Sequence, residues 1–341
     1  MAVARSPIAA VRLEAAAAAK RVHRDLDIQK RVTSGTGSID VFEAIGDLDI
    51  PLVFKPLTSA LGFCLPGPLR GIMVTTRRGL HIQRFTAAHE LGHAILEHRG
   101  SIDREILERG PLAPSGGRDL QEVAADAFAA EFLLPRWLYR HHILSQGWKV
   151  NLHLQNPQIV YQLSLRMGAS YDATCWGLAS HQILTTREVE TLRKVPVSRV
   201  KSMLGGEYKP GNSWADVWCL TGRDDGASIV GNPDDLFRIE LDEAAGSGYQ
   251  WQVEALREAG YQVLSDQSTF SRDPLLYGAP AVRTVIARPP EKGIGTVTMR
   301  ETLPWQNDAL DDATFSIKLA LQGPEPGGLS RSDRRRMGLQ S

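Results

Sequence analysis

The stretch Arg84–Gly100, RFTAAHELGHAILEHRG, decides how this chain is read. Two imidazoles, His89 and His93, stand four residues apart with Glu90 between them. On an α-helix residues i and i+4 share a face, so both rings can offer a nitrogen to one cation. Glu90 falls about 100° around the helix from His89, beside the ligand face and within reach of a water on that cation. This is the His-Glu-x-x-His arrangement of a metal-dependent hydrolase, two ligands plus a general base. The rival reading is an ordinary amphipathic helix that carries two histidines. Gly92 inside the motif costs about 1 kcal/mol relative to alanine in a helix interior, which predicts that another element approaches closely there.

A metal site needs a third protein ligand. The extended pattern would place glycine at 96 and histidine at 99, where Leu96 and Arg99 stand. His98 lies about 140° off the ligand face of a continuing helix and is expected to face solvent near the helix C-terminus. Glu122 sits 29 residues beyond His93 in the apolar-rich run EVAADAFAAEFLLP, with Asp126 one turn further on. Glu122 would supply an oxygen ligand and Asp126 an acceptor for the second N–H of a ligating histidine. The alternative is that both are surface acids of an amphipathic helix.

Outward from this stretch, residues 9–26 are alanine-rich with interspersed charge and predict a helix. Ser38, after the breaker GTGS, is a candidate cap for a short helix IDVFEAIGDL. IPLVFKP and RGIMVTTRRG predict strands. The quoted stretch predicts a helix through about Glu97, stopped at Gly100. A loop is expected over 101–118, then a helix broken at Pro135, then two short helices divided at Gly168-Ala169-Ser170. Beyond the linker 204–213, short alternating runs such as DVWCLTG, FRIELDE, YQWQVEAL, AVRTVIARP, GTVTMRET and TFSIKLALQ predict an all-β sandwich over 214–322. The tail 323–341 has little apolar content and is expected to be disordered, with Arg331, Arg334, Arg335 and Arg336 solvated.

The 341 residues suffice for two domains, and 43% hydrophobic with 23% charged residues is a globular composition. Lys+Arg and Asp+Glu are equal at 39 each, so no global field favours nucleic acid. No run of about 18 apolar residues predicts a membrane span, and the charge-broken N-terminus does not read as a secretory signal. Cys64, Cys175 and Cys219 are odd in number and far apart, so a reduced, cytoplasmic setting is expected. Cys64 has two readings, a thiolate on the open metal position or a buried apolar side chain. The segment IVYQLSLRMGASYDATCWGL has the form of a helix-turn-helix. Asp172, Thr174, Cys175 and Trp176 on its second helix give phosphate nothing to bind, and direct nucleic-acid binding is not expected.

QRFTAAHELGHAIL, followed at the right distance by EVAADAFAAEFLLP, resembles the ImmA/IrrE family of bacterial metallopeptidases, and the likeness runs over roughly 38–185. It implies one zinc ion held by His89, His93 and Glu122, Glu90 as catalytic base, and Asp126 behind the ligands. It also implies a helical zincin-like, gluzincin-like domain with a small sheet over 1–203, including a helix-turn-helix-like subdomain near 155–200. By that resemblance the chain is an endopeptidase whose substrate is a protein, such as a transcriptional repressor in a stress, mobile-element or phage-related switch. Family members often carry Asn at the place of Asp126. Tyr139, His141, His142 and Tyr161 are candidates for an oxyanion donor.

The second half is similar to the chagasin family of cysteine-protease inhibitors, which are immunoglobulin-like sandwiches. The similar positions are Gly248-Tyr249-Gln250-Trp251, Gly278-Ala279-Pro280 and Leu303-Pro304-Trp305. Tyr249, Trp251 and Trp305 are the candidate contacts for a regulatory partner, and sandwich packing is the other reading of Trp251. The whole chain is thus expected to be α+β, with an enzyme domain followed by a β module. The competing class is a non-catalytic regulator that binds its partner through both parts.

Overall fold

The computed structural model describes residues 6–65, 70–98, 102–103, 119–270, 281–290, 293–303, 305 and 313–339. The expected stop at Gly100, most of the loop 101–118, Gly278-Ala279-Pro280 and Pro304 lie outside them.

Helix α1 (Pro7–Asp25) starts where Ser6 accepts from Ala9 N–H and Pro7 presets the first turn. Its buried Ala15, Ala18, Ala19 and Val22 are small enough to let it lie close on α5 (Leu120–Leu133). Between them in sequence come α2 (Ile28–Arg31), α3 (Val41–Asp47) and α4 (Leu80–Ile95). Asp40, not Ser38, caps α3, accepting from Phe42 and Glu43 N–H, because the helix begins two residues later than the capping reading assumed. Pro135 sits at the N-cap of α6 (Arg136–Ser145), so the expected break falls there. After α7 (Val150–His153), Asn156 caps α8 (Pro157–Met167), which ends on Gly168 at φ 64°, and Ser170 caps α9 (Tyr171–Ser180). Helices α10 (Thr186–Arg193) and α11 (Val197–Gly205) complete the helical part.

One sheet belongs to this part. Strands β1 (Leu52–Lys55), β2 (Gly62–Leu65), β3 (Gly71–Thr75) and β4 (Ile102–Asp103) take the order β1-β3-β2-β4, with β1 and β3 parallel and the other pairs antiparallel. Helix α4 packs on β2 and β3 and, on its other side, on α5.

The second half is sheet-rich. β5 (Val217–Thr221), β7 (Leu236–Glu243), β10 (Ala281–Arg288) and β9 (Gln262–Thr269) form one sheet in the order β5-β7-β10-β9. β6 (Ser228–Val230), β12 (Thr314–Leu321), β11 (Gly293–Thr302) and β8 (Gln250–Trp251) form the other, in the order β6-β12-β11-β8. Trp218, Phe237 and Val285 from the first and Met299, Phe315 and Ile317 from the second share one apolar core, so the two sheets are layers of one module. The run YQWQVEAL splits into β8 and the short helix α12 (Glu254–Glu258). The chain is therefore α+β, helical first and sheet-rich second.

Gln162 on α8 joins the halves. Its amide donates to Val217 O at 2.8 Å and accepts from Cys219 N–H at 2.9 Å, so one side chain satisfies the edge of β5 as a neighbouring strand would. Arg166 and Asp224, both buried, pair at 2.8 Å alongside. The helix-turn-helix-like segment thus spends its first helix on the β module, in keeping with a structural role.

The tail departs from expectation. β13 (Gly328–Leu329) adds antiparallel to β1 and completes the first sheet as β13-β1-β3-β2-β4, and α13 (Arg331–Arg336) packs on α3. Its anchors are polar, which is why an apolar count missed them: Arg331 donates to the carbonyls of Gln322, Gly323 and Pro324 and pairs with Glu325. Arg336, still exposed, pairs with Asp47, whereas Arg331 is bound rather than solvated. No helix among the described residues is long and apolar enough to cross a membrane.

Candidate metal centre

Helix α4 is buried on all sides through the motif, with His89 at 1%, Glu90 at 0% and His93 at 2% exposure. Gly92 explains how α5 comes near enough to contribute. A Cβ there would stand 3.1 Å from Phe128 Cβ and 3.2 Å from Ala125 Cα. The close approach brings Glu122 over the two histidines: Glu122 Oε2 is 3.3 Å from His89 Nε2, and its Oε1 is 3.5 Å from His93 Nε2. The two Nε2 atoms are 3.0 Å apart. A Gly92→Ala substitution gains helix propensity but pushes on the Ala125 backbone, which cannot rotate away. Divalent-metal affinity measured by chelator competition is expected to fall about tenfold, the low end of what disturbing a metal's supporting groups costs. Unchanged affinity would show that the helix spacing is not set at this glycine.

Asp126 Oδ1 lies 3.0 Å from His89 Nδ1. A neutral imidazole has one N–H, so this bond puts the proton on Nδ1 and leaves a lone pair on Nε2. The inner corner of the site then gathers two imidazole nitrogens and a carboxylate, and acceptors at this spacing repel unless a cation lies among them. Burial works against protonating His89, but hydrogen bonding to the Asp126 and Glu122 carboxylates together with nearby carboxylate charge raises its pKa. Burial and the charge on His89 push His93 down. His89, His93 and Glu122 offer donor atoms all within 4.8 Å of one another. A tetrahedral ion about 2.0–2.2 Å from each donor spaces donors about 3.3–3.6 Å apart, so the donor set fits a zinc-type ion.

Glu90 lies under strand β2, near enough to His89 for its charge to act on that ring. A Cβ on Gly62 would meet Thr86 Cγ2 at 2.5 Å and Glu90 Oε1 at 3.1 Å, so only glycine lets this strand lie so close to the motif helix. Nothing in the sequence pattern marked Gly62, because β2 is four residues long. Cys64 on the same strand is buried, and burial with the nearby Glu90 charge pushes its thiol up to about 11. It is a protonated thiol outside the donor cluster, which favours the apolar reading over a metal-bound thiolate.

Three of the four oxyanion candidates are occupied elsewhere. The Tyr139 hydroxyl donates to Thr174 O, Tyr161 donates to Asp216 Oδ1, and His142 Nε2 contacts Gly37 O. All three are core residues in the helical part. His141 stacks edge-on against His142 and is not among the clustered donors. His98 also departs from expectation. It is half-buried rather than fully solvent-facing, and its Nδ1 stands 3.0 Å from His93 Nδ1. The helical wheel misplaced it because α4 stops at Ile95 and the chain reverses at Glu97, φ 53°.

At the loop end of the β module, Trp251 is buried and its indole donates to Asp242 O at 2.8 Å, so it is core. Tyr249 is half-buried. Trp305 is 70% exposed, and its ring lies against Gly248, where a Cβ would stand 2.5 Å from Cη2.

Residues 46–178 match the family model of the IrrE N-terminal-like domain of the M78 peptidases, a metallopeptidase family. Residues 232–319 match that of the chagasin family of peptidase inhibitors, I42. Amoebiasin-2 of Entamoeba histolytica is 24% identical over 111 residues, covering 31% of this chain and 88% of that protein. Among solved structures, a crystal structure of a cysteine protease inhibitor from Entamoeba histolytica matches at 23% identity and TM-score 0.24, over 30% of this chain and 96% of that one. The solution structure of amebosin matches at 20% identity and TM-score 0.26, over 30% and 96%. The chain therefore joins an M78-type domain to a chagasin-type domain.

Proposed function

We propose that this chain is a zinc endopeptidase whose second module binds a protein. The observation that carries the reading is the convergence of His89, His93 and Glu122 beside a buried Glu90. Two imidazoles and one carboxylate are a donor set that suits zinc. When bound, zinc would polarise a scissile carbonyl and acidify a water. Glu90 takes the proton of the attacking water and passes it to the leaving amine, and Asp126 holds the tautomer of His89.

A cavity of about 420 Å³ opens along the same faces of α4 and α5. Phe85, one turn before His89, Ala130, one turn after Asp126, and Trp176 are in its wall, and none of His89, Glu90, His93 and Glu122 is. Its lining is mainly apolar, which suits a large apolar side chain of a bound polypeptide. The family resemblance puts a transcriptional repressor first among the proteins to test as substrate.

The exposed Trp305 favours a binding role for the β module, because a solvent-facing tryptophan on a module end is an anchor in search of a pocket. The protein relatives of this module are described as cysteine protease inhibitors, and a papain-like protease is the first partner to test. A non-catalytic regulator would need neither zinc nor Glu90. Purified protein is expected to carry one zinc per chain, and to lose proteolysis to a chelator and regain it with added zinc. Protein that binds no zinc would end the peptidase reading.

A further inference from the structure

We propose that His98 is a positioning residue that fixes the tautomer and ring plane of His93. The inference rests on the zinc reading above. His93 turns its Nε2 toward His89 Nε2 and Glu122 and its Nδ1 toward His98 Nδ1 at 3.0 Å. For Nε2 to offer its lone pair to a metal, the single ring proton must sit on Nδ1 and find an acceptor. His98 Nδ1 is that acceptor, and its own proton then rests on Nε2. Each imidazole of the site is thereby held from behind, His89 by the carboxylate of Asp126 and His93 by a third imidazole.

The local backbone is built for this contact. Helix α4 ends at Ile95, Leu96 N–H closes on Gly92 O, and Glu97 takes a left-handed conformation at φ 53°. His98 N–H then returns to His93 O at 3.0 Å, the reversal that ends many helices. A non-glycine residue in this region carries a cost, and that turn folds residue 98 back over residue 93. His98 is not in the cluster of described donor atoms, so it acts through His93.

The test uses the full chain and zinc itself. Three proteins are compared: wild type, His98→Ala and His98→Asn, whose amide oxygen can stand close to the place of the imidazole Nδ1. Zinc affinity is read by competition with a chromophoric chelator, and the Co²⁺-substituted forms by visible absorption. Nitrogen chemical shifts of His93 in the metal-free proteins report its tautomer directly.

The Ala variant is expected to bind zinc about 10–100-fold more weakly, the usual effect of removing a ligand's hydrogen-bond partner. It should also show an altered cobalt spectrum and a mixed His93 tautomer, at an unchanged metal-free melting temperature. The Asn variant should recover most of each. Wild-type affinity in the Ala variant, or an Asn variant no better than Ala, overturns the proposal while leaving the zinc reading intact. Failure of the wild type itself to bind zinc overturns the zinc reading and this one together.

Discussion

Replacing Glu90 with Gln is expected to leave zinc in place and to slow peptide hydrolysis by about 10²–10⁴-fold, the usual contribution of a positioned general base. The two side chains have nearly the same shape, so the packing under Gly62 and Thr86 should survive. The amide cannot accept and return a proton, so the loss should appear in kcat while zinc content stays at one per chain. Glu90 is fully buried, and a buried neutral amide costs less desolvation than a buried carboxylate. The melting temperature should therefore hold or rise. That combination separates a lost base from a damaged fold, since a damaged fold would lower both zinc content and melting temperature. Full activity in this variant would show that another group takes the proton.

The donor cluster of His89, His93 and Glu122 was legible in the sequence because its geometry is local. His89, Glu90 and His93 share one helix, and the spacing of such residues follows from 3.6 residues per turn. Glu122 and Asp126 share another helix, and a single long-range fact, the approach of the two helices, remained to be supplied. Gly92 hinted at that approach through its helix cost alone. What was not legible depends on where elements stop. His98 was assigned to solvent by extending a helix that in fact ends three residues earlier, and the left-handed turn at Glu97 has no marker such as glycine.

The β strands that escaped notice, β2, β4, β6, β9 and β13, are short or half-polar, so alternation has too few positions to show. Trp251 and Trp305 illustrate the same limit. Both are tryptophans near the ends of strands, and only the burial of one and the exposure of the other separates core from candidate contact.

The tail was the largest misreading, and it supplies the second large effect. Removing residues 323–341 is expected to destabilise the helical half by about 2–6 kcal/mol, although those residues lie far from it in sequence. Gln83 on α4 is fully buried and donates to Glu325 O at 3.1 Å while accepting from Glu325 N–H at 2.7 Å. Truncation strips both bonds and leaves Gln83 only its contact with Thr75 O. Each buried polar group left unsatisfied costs about 1–3 kcal/mol, and the two together give the range stated. At about 2–4 °C per kcal/mol for a part of this size, a thermal melt should fall by about 10 °C. A Gln83→Leu substitution in the full-length chain removes the glutamine amide as well, so that Glu325 N–H, Glu325 O and Thr75 O each lose that partner. It should cost less than truncation if the tail acts through Gln83, and as much or more if the tail is merely draped over the surface. A truncated chain that melts like the intact one would mean that β13 and α13 contribute nothing to the helix that carries His89 and His93.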